Sequence, residues 1–422
     1  MHDWQQILLG DLLLDIADGG TPSRLDPNNF NGGIPWVVID DIKHEIWETK
    51  ETLSKKGLSS SSAKLWPVDT VILSTGATIG EVGIAKVPLA TKQGISGLVC
   101  NQRINHRFLY YKLQSLKNYL NSIAQGSTIR EVRPPIIKRI EIDLPTIQEQ
   151  IGIAEVLEVV DDAIEQTEAL IRKYQRIKQG LMQDLFTRGV DENGELRPKA
   201  ELAPLLYRHN NDQWIPKEWT IKTIDNLSIY VGSGITPKGG SEVYGSEGVM
   251  FVRSQNVTFE GLLLNDVVYI DDKIHRSMCR SAIFPYDILI NITGASIGRC
   301  CVFPDGLGKA NVNQHVCAIR FASPDYYDAS YLSYVLSSWI GQSQIDKLNA
   351  GGNRQGLNYQ QLRSFQIPWP EKNERKIIVD ILKRNDELIT IEKNNLIKLV
   401  SLKQGLMQDM LTGKVRVNAL LE

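Results

Sequence analysis

Between residues 147 and 187 apolar side chains recur at alternating steps of four and three: Ile153, Leu157, Val160, Ile164, Ile171, Tyr174, Leu181 and Leu185. Thr167 and Lys178 fill the two remaining places on that stripe. A heptad seam sustained this long predicts one long helix packed lengthwise against another. The same stripe returns as Ile378, Leu382, Ile389, Leu396, Leu399, Leu406 and Met410, interrupted by Asn385, Glu392 and Lys403. Polar seam residues cost stability but fix register, and Lys178 and Lys403 hold equivalent places. A helix of about 40 residues is roughly 60 Å long. The two helices are expected to pair antiparallel and to act as a spacer between two globular units.

Away from the helices the pattern shortens to strands bounded by Gly, Pro and Asn. Residues 34–39 and 249–252 read as one matched pair, and 70–74 and 287–291 as another. Each member of the second pair runs into a TGA[TS]IG turn. Apolar spacing predicts a single helix over 108–124 and its partner over 331–348. Residues 188–215 have no period, and the polar, turn-rich stretch within them reads as a linker. The fold class is therefore mixed α/β: two similar units separated by a pair of long antiparallel coiled-coil helices, with pseudo-two-fold symmetry.

The pairing of elements reflects an internal duplication. Lys178-Gln179-Gly180-Leu181-Met182-Gln183-Asp184-Leu185-Phe186-Thr187 returns as Lys403-Gln404-Gly405-Leu406-Met407-Gln408-Asp409-Met410-Leu411-Thr412, with eight of ten positions identical. Thr75-Gly76-Ala77-Thr78-Ile79-Gly80 matches Thr293-Gly294-Ala295-Ser296-Ile297-Gly298, with Val68-Asp69 and Tyr286-Asp287 ahead of them. Trp4 and Trp219, Thr21-Pro22 and Thr236-Pro237, and Pro145, Glu149 and Pro370, Glu374 also correspond. The offset grows along the unit, as insertions in surface loops of the second copy would cause. The period far exceeds that of solenoid repeats, so each copy can hold its own core. Gly180 and Gly405, placed inside helices at about 1 kcal/mol each relative to alanine, point to close helix approach or a partner contact.

Composition narrows the chemistry. The 422 residues carry 47 Lys/Arg against 49 Asp/Glu, a formal net charge of −2. Residues 1–146 hold 16 Lys/Arg against 15 Asp/Glu, and residues 215–370 hold 13 of each. Neither unit is globally basic, so any nucleic-acid contact would have to come from local patches or rely on basic partner subunits for much of the phosphate attraction. No apolar run reaches the ~18 residues of a membrane span, and the first residues lack a signal pattern. The five cysteines show no CxxC spacing and read as thiols in a reducing cytoplasm. No metal and no cofactor is expected. Catalysis is not expected either. The only double proline, at Pro134-Pro135, lacks the flanks of an amino-methyltransferase [NDS]PP[YFW] loop. Gly232-Ser233-Gly234 is a lone GxG, and there is no P-loop motif.

With two globular units, each followed by a long helix, the chain resembles the specificity subunit of type I restriction–modification enzymes. The marks are the opening Trp of each unit, the TP turn, the TGA[TS]IG segment, the lead into the helix and the helix end. That lead reads Leu144-Pro145…Gln148-Glu149-Gln150-Ile151 in the first copy and Trp369-Pro370…Glu374-Arg375 in the second, where Arg375 departs from the pattern's Gln. Each motif is weak alone, but their doubled order is specific. The resemblance implies a target recognition domain at 1–146, a spacer helix at 147–190, a linker at 191–214, a second recognition domain at 215–370, and a second helix with the tail at 371–422. It implies a subunit that catalyses nothing itself and reads a bipartite site on double-stranded DNA. Its partners would be two methyltransferase subunits docked on the helices, and restriction subunits with ATP-dependent translocase and nuclease activity. Two alternatives remain: a recognition subunit whose partner fuses methyltransferase and nuclease, and a two-headed coiled-coil scaffold that binds no DNA.

Base edges need bidentate side chains: Arg or Lys for guanine, Asn or Gln for adenine. Matched loops offer candidates. Thr128 and Arg130 in the first copy face Asn353, Arg354 and Gln355 in the second; Lys92 and Gln93 face Gln314 and His315. Ser23 and Arg24 face Lys238 after the TP turns, with Arg253, Gln255 and Asn256 nearby in sequence. The TGA[TS]IG segments are expected to shape tight turns.

Overall fold

A computed structural model describes residues 4–126, 130–210, 213–349 and 356–417. The chain divides into two compact units, one formed by Met1–Glu168 with Asn394–Glu422, the other by Ala169–Lys393. The division runs through both long helices, α1 (Ile147–Thr187) and α2 (Lys372–Met410), because each helix end joins a globular core.

In the first unit a five-stranded sheet runs Leu13–Asp18, Ile95–Cys100, Val71–Ser74, Val82–Ala85, Glu45–Ile46. A second sheet runs Thr52–Leu53, Phe30–Val37, Leu89–Thr91, Leu65–Trp66, its two central strands parallel. Gln5–Leu8 pairs with Glu141–Leu144 at the base. The second unit repeats this plan. Ser228–Ser233, Val316–Phe321, Ile288–Asn291 and Cys300–Val302 form one sheet. Val268–Ile270, Val249–Val252, Ala310–Val312 and Ala282–Ile283 form the other, and Thr220–Thr223 pairs with Gln366–Trp369. The strands are short, and the central Val71–Ser74 and Ile288–Asn291 bury both faces.

The predicted helices at 108–124 and 331–348 are each two helices. His106–Ser115 gives way to Lys117–Ile123 at Leu116, whose ψ of 3° leaves the helical region. Tyr326–Ser337 gives way to Trp339–Asn349 at extended Ser338, whose Oγ caps the N–H of Ile340. A serine at a helix N-cap satisfies a backbone donor that the break leaves unpaired. The described part of the stretch read as a linker also forms regular structure. Asp191 holds a turn through the N–H groups of Asn193 and Glu195, and Tyr207–Asn210 pairs with Gln213–Pro216 as a hairpin.

Inside each unit the helix ends run antiparallel. In the first, Glu149 of α1 binds Arg416 just beyond α2, and Asp161 binds Lys403 at 2.6 Å. In the second, Glu374 of α2 bonds Val190 N–H just beyond α1, and Asp386 binds Lys178 at 2.6 Å. The repeated lysines thus reach a carboxylate on the opposing helix and lie over a tyrosine ring, Tyr111 for Lys403 and Tyr334 for Lys178. The same tyrosines donate to Asp161 and Asp386 at 2.8 Å. Burial first, then the neighbouring carboxylate, raises both tyrosine hydroxyl pKa values, so they remain neutral donors. Along the seam Leu157, Val160, Ile171, Leu185, Leu382 and Ile389 are buried, and Ile164, Tyr174, Leu181, Leu396, Leu399 and Leu406 half-buried. Gly180 and Gly405 are exposed, and an added Cβ would meet nothing within 4 Å. Close helix approach therefore does not explain them.

The departure at Arg375 has a structural answer. Gln150 bonds the carbonyls of Arg103 and Pro145 and accepts from Asn105 N–H, the cap of helix His106–Ser115. Arg375 bonds the Pro370 carbonyl and Asp328 in helix Tyr326–Ser337, and stacks on Trp369 at 4.3 Å. Different side chains tie the same helix start to the same short helix.

Candidate nucleic-acid interface

In both units backbone contacts gather the bases of four loops at one rim, and at the TP loop a glycine makes the approach possible. Gly19 and Gly234 each press on the strand that precedes the next loop: a Cβ would meet Thr91 O at 2.2 Å and Val312 O at 1.6 Å respectively. These contacts bring the TP loop beside residues 92–94 in one unit and 313–315 in the other. The TGA[TS]IG turn joins the same rim. Thr75 and Gly76 N–H groups both bond Gly94 O, at 2.8 and 3.1 Å, and Ile292 N–H bonds His315 O at 2.9 Å. Those N–H groups of the first unit are thereby committed within the rim. The fourth loop is anchored by Val132 N–H to Thr75 O in the first unit and by Leu357 N–H to Ile292 O in the second, each 2.8 Å.

The two TGA[TS]IG turns differ by one residue. Gly80 N–H closes on Ser74 O, whereas Gly298 N–H closes on Asn291 O, one residue further back. The strand register carries the shift outward, so the left-handed residue before each strand is Asp69 in one unit and Tyr286 in the other. The sequence match of Val68-Asp69 with Tyr286-Asp287 is therefore displaced by one in space. Gly80 and Gly298 have φ of 92° and 84°, a region open to glycine, and a Cβ there would also strike Lys117 or Gln342.

In the first unit Ser23, Arg24 and Gln93 are exposed and Lys92 half-buried. Arg24 bonds Glu51 at 3.0 Å and lies over the rings of Phe30 and Trp36 at 5.2 and 5.7 Å. The hydrogen bond to Glu51 raises the guanidinium pKa further, so Arg24 stays charged. Arg130 is exposed and bonds the Asn121 carbonyl at 2.8 Å, at the end of its short helix. Thr128 lies outside the described residues, as do Asn353, Arg354 and Gln355.

In the second unit Lys238, Gln255 and Gln314 are exposed and His315 is half-buried. Arg253 bonds the Asp266 carbonyl at 2.7 Å and Gln255 bonds the Asp266 carboxylate. Asn256 is 1 % exposed, and it faces inward. Its side-chain oxygen accepts Arg253 N–H at 2.9 Å and its amide donates to Leu263 and Asp266 carbonyls. The equivalent in the first unit is buried Asp41, which accepts Val38 N–H at 3.0 Å. Asn256 is a loop former, and the sequence reading of it as a base contact does not fit this burial.

Two residues that the sequence marks only as parts of repeated motifs bond the candidate side chains. Thr236 donates to Gln314 Oε1, and Thr293 Oγ1 lies 2.6 Å from His315 Nδ1. Both belong to repeated motifs, which was the available signal. Among the described residues no cluster of three or more His, Cys, Asp or Glu could hold a metal ion, and no helix is long and apolar enough to cross a membrane.

Two α/β units, each joined to the ends of the long helices, thus carry matched sets of loops. The model of the type I restriction modification DNA specificity domain matches residues 1–174 and again 216–401. Over 99 % of its length the chain is 24 % identical to the MjaVIII specificity subunit of Methanocaldococcus jannaschii, covering 94 % of that protein. It is 22 % identical to the EcoBI specificity subunit of Escherichia coli, with 98 % of this chain and 87 % of that one aligned. The type I system S subunit from M. genitalium shares the fold at a TM-score of 0.60 and 16 % identity, over 97 % of this chain and 96 % of that one. The chain belongs to the type I restriction–modification DNA specificity family, as a specificity subunit with two copies of the domain.

Proposed function

We propose that each unit sets its loop rim against one half of a split site on double-stranded DNA, and that α1 and α2 fix the gap between the halves. The observation that carries this is the doubled rim. Four matched loops are anchored at equivalent strand ends in both units, and Ser23, Arg24, Gln93, Lys238 and Gln314 among their described residues are exposed, while the helices' repeated lysines are consumed in internal ion pairs. Two methyltransferase subunits dock on the helices, and exposed Gly180 and Gly405 suit such contacts. ATP-dependent restriction subunits complete the nuclease, and the assembly works in the cytoplasm. A solved structure that concerns complex assembly and conformational transition of the type I system shares this fold at a TM-score of 0.54 and 17 % identity. With neither unit globally basic, partner subunits supply much of the phosphate attraction. The sequence divisions at 1–146, 147–190, 191–214, 215–370 and 371–422 describe the functional parts, although each folded core also recruits helix ends.

The chain itself transfers no methyl group. The purified chain is expected to leave DNA unmethylated in the presence of methyl donor and to hydrolyse no ATP. Addition of its methyltransferase partner should restore site-specific methylation. Methyl transfer by the isolated chain, abolished by a point change within it, would overturn the assignment.

A further inference from the structure

An exposed glutamine normally samples many rotamers, and ordering it costs up to about 1.5–2 kcal/mol of side-chain entropy. Gln314 is exposed, yet two side chains hold it: Thr236 from another loop, and His315 beside it, which Thr293 holds in turn. Thr236, from the TP loop, donates to its Oε1. His315 Nε2 lies 3.1 Å from its Nε2, and His315 Nδ1 lies 2.6 Å from Thr293 Oγ1 of the TGA[TS]IG turn. The backbone of His315 is pinned as well, its N–H on Asn313 Oδ1 at 3.1 Å and its carbonyl on Ile292 N–H at 2.9 Å.

The hydrogen pattern is self-consistent. The Gln314 amide donates one N–H to His315 Nε2, which places the imidazole proton on Nδ1, where Thr293 Oγ1 accepts it. Gln314 then retains one amide N–H and one oxygen lone pair that nothing in this network uses. A donor and an acceptor side by side on a planar amide match the N7 and N6 edge of adenine in the major groove. Neighbouring candidates are differently committed: Arg253 and Gln255 to Asp266, and Asn256 to its own loop. In the first unit the place of His315 is taken by Gly94, with φ of 84°, beside exposed Gln93. The relay therefore belongs to the second unit.

Building on the DNA-interface reading above, we propose that Gln314 is a specificity-determining residue of the second unit. It reads an adenine in the second half-site, and Thr236, His315 and Thr293 act as positioning residues that hold its amide in the reading orientation.

The test uses the complex with its methyltransferase partner and duplexes in which each base pair of the second half-site is changed in turn. Relative binding is measured by competition. Gln314→Ala should lose about ten- to hundredfold discrimination at one A·T pair only. Gln314→Glu should shift the preference there towards cytosine, whose N4 amino group donates to a carboxylate. Thr236→Val and His315→Phe should weaken discrimination at that same pair without creating a new preference, which a merely structural role would not do. The first half-site should be unchanged throughout. Unaltered discrimination in Gln314→Ala, or equal weakening on every duplex, would overturn the assignment of Gln314 while leaving the DNA interface standing. Absence of any sequence preference in the unsubstituted complex would overturn the interface itself.

Discussion

Glu374→Ala should lower the stability of the second unit by about 3–5 kcal/mol, the scale for removing one partner of a buried ion pair. The Glu374 side chain is 10 % exposed and that of Arg197 14 %. One carboxylate accepts from Arg197 on both oxygens, from Trp219 Nε1 at 3.0 Å and from Val190 N–H at 2.9 Å. Removing it leaves an indole N–H and a backbone N–H without their acceptor, and leaves Arg197 only exposed Glu218 and the Arg188 carbonyl. Gly189, at φ of 66°, turns the chain out of α1 against this group, and a Cβ there would meet the Glu374 carboxylate at 2.1 Å. The carboxylate therefore also fixes how the first helix enters the second unit. Glu149, 1 % exposed and bound by Arg416 and Trp4, plays the same part in the first unit. Denaturant unfolding of Glu374→Ala and Glu149→Ala measures both. A loss under about 1 kcal/mol, the scale of a surface pair, would show the site to be solvated.

Residues 1–190 alone should dimerise. The first unit cannot complete its core without α2, because Met410, Leu411 and Val417 are buried in it and Lys112 donates to the Leu411 carbonyl at 2.9 Å. A 1–190 fragment lacks that segment but carries its repeat. Lys178, Met182, Leu185 and Phe186 of a second copy offer side chains like those of Lys403, Met407, Met410 and Leu411, although Arg416, the partner of Glu149, has no counterpart within residues 1–190. Each copy's α1 would then cap the other, with Lys178 reaching Asp161 as Lys403 does in the intact chain. The apolar surface left bare in a monomer drives this pairing at about 25 cal/mol per Å². Sedimentation should give twice the fragment mass across the micromolar range. With partner present, the dimer should direct methylation to an inverted repeat of one half-site. A well-folded monomer at high concentration would remove the argument that the repeat segments are interchangeable.

Much of this was legible in the chain because duplication marks each position twice. The 4-3 stripe located α1 from Ile147 to Thr187, and Lys178 and Lys403 stood out as polar residues at matched seam positions. What they bind was not legible. Asp161 and Asp386 lie on the opposing helix and carry no local signal. The breaks at Leu116 and Ser338 escaped because apolar periodicity continues across them, while a single residue's backbone angles decide the helix. The matched loops were found from the same repeats. The roles inside them were not, since burial separates Asn256 from Gln255 and no sequence pattern records burial in a loop. Thr236 and Thr293 were read as motif landmarks because their target, Gln314, is brought to them only by the fold.

The central claim, that each unit reads its own half of a divided site, is tested most directly by genome-wide mapping of methylated bases. The mapped complexes carry loop substitutions in one unit at a time: Arg24→Ala with Lys92→Ala in the first, Lys238→Ala with Gln314→Ala in the second. The account predicts a bipartite motif with a fixed gap, in which the first pair alters one half only and the second pair alters the other half only. A continuous motif, or one whose same bases change whichever unit is substituted, would contradict it.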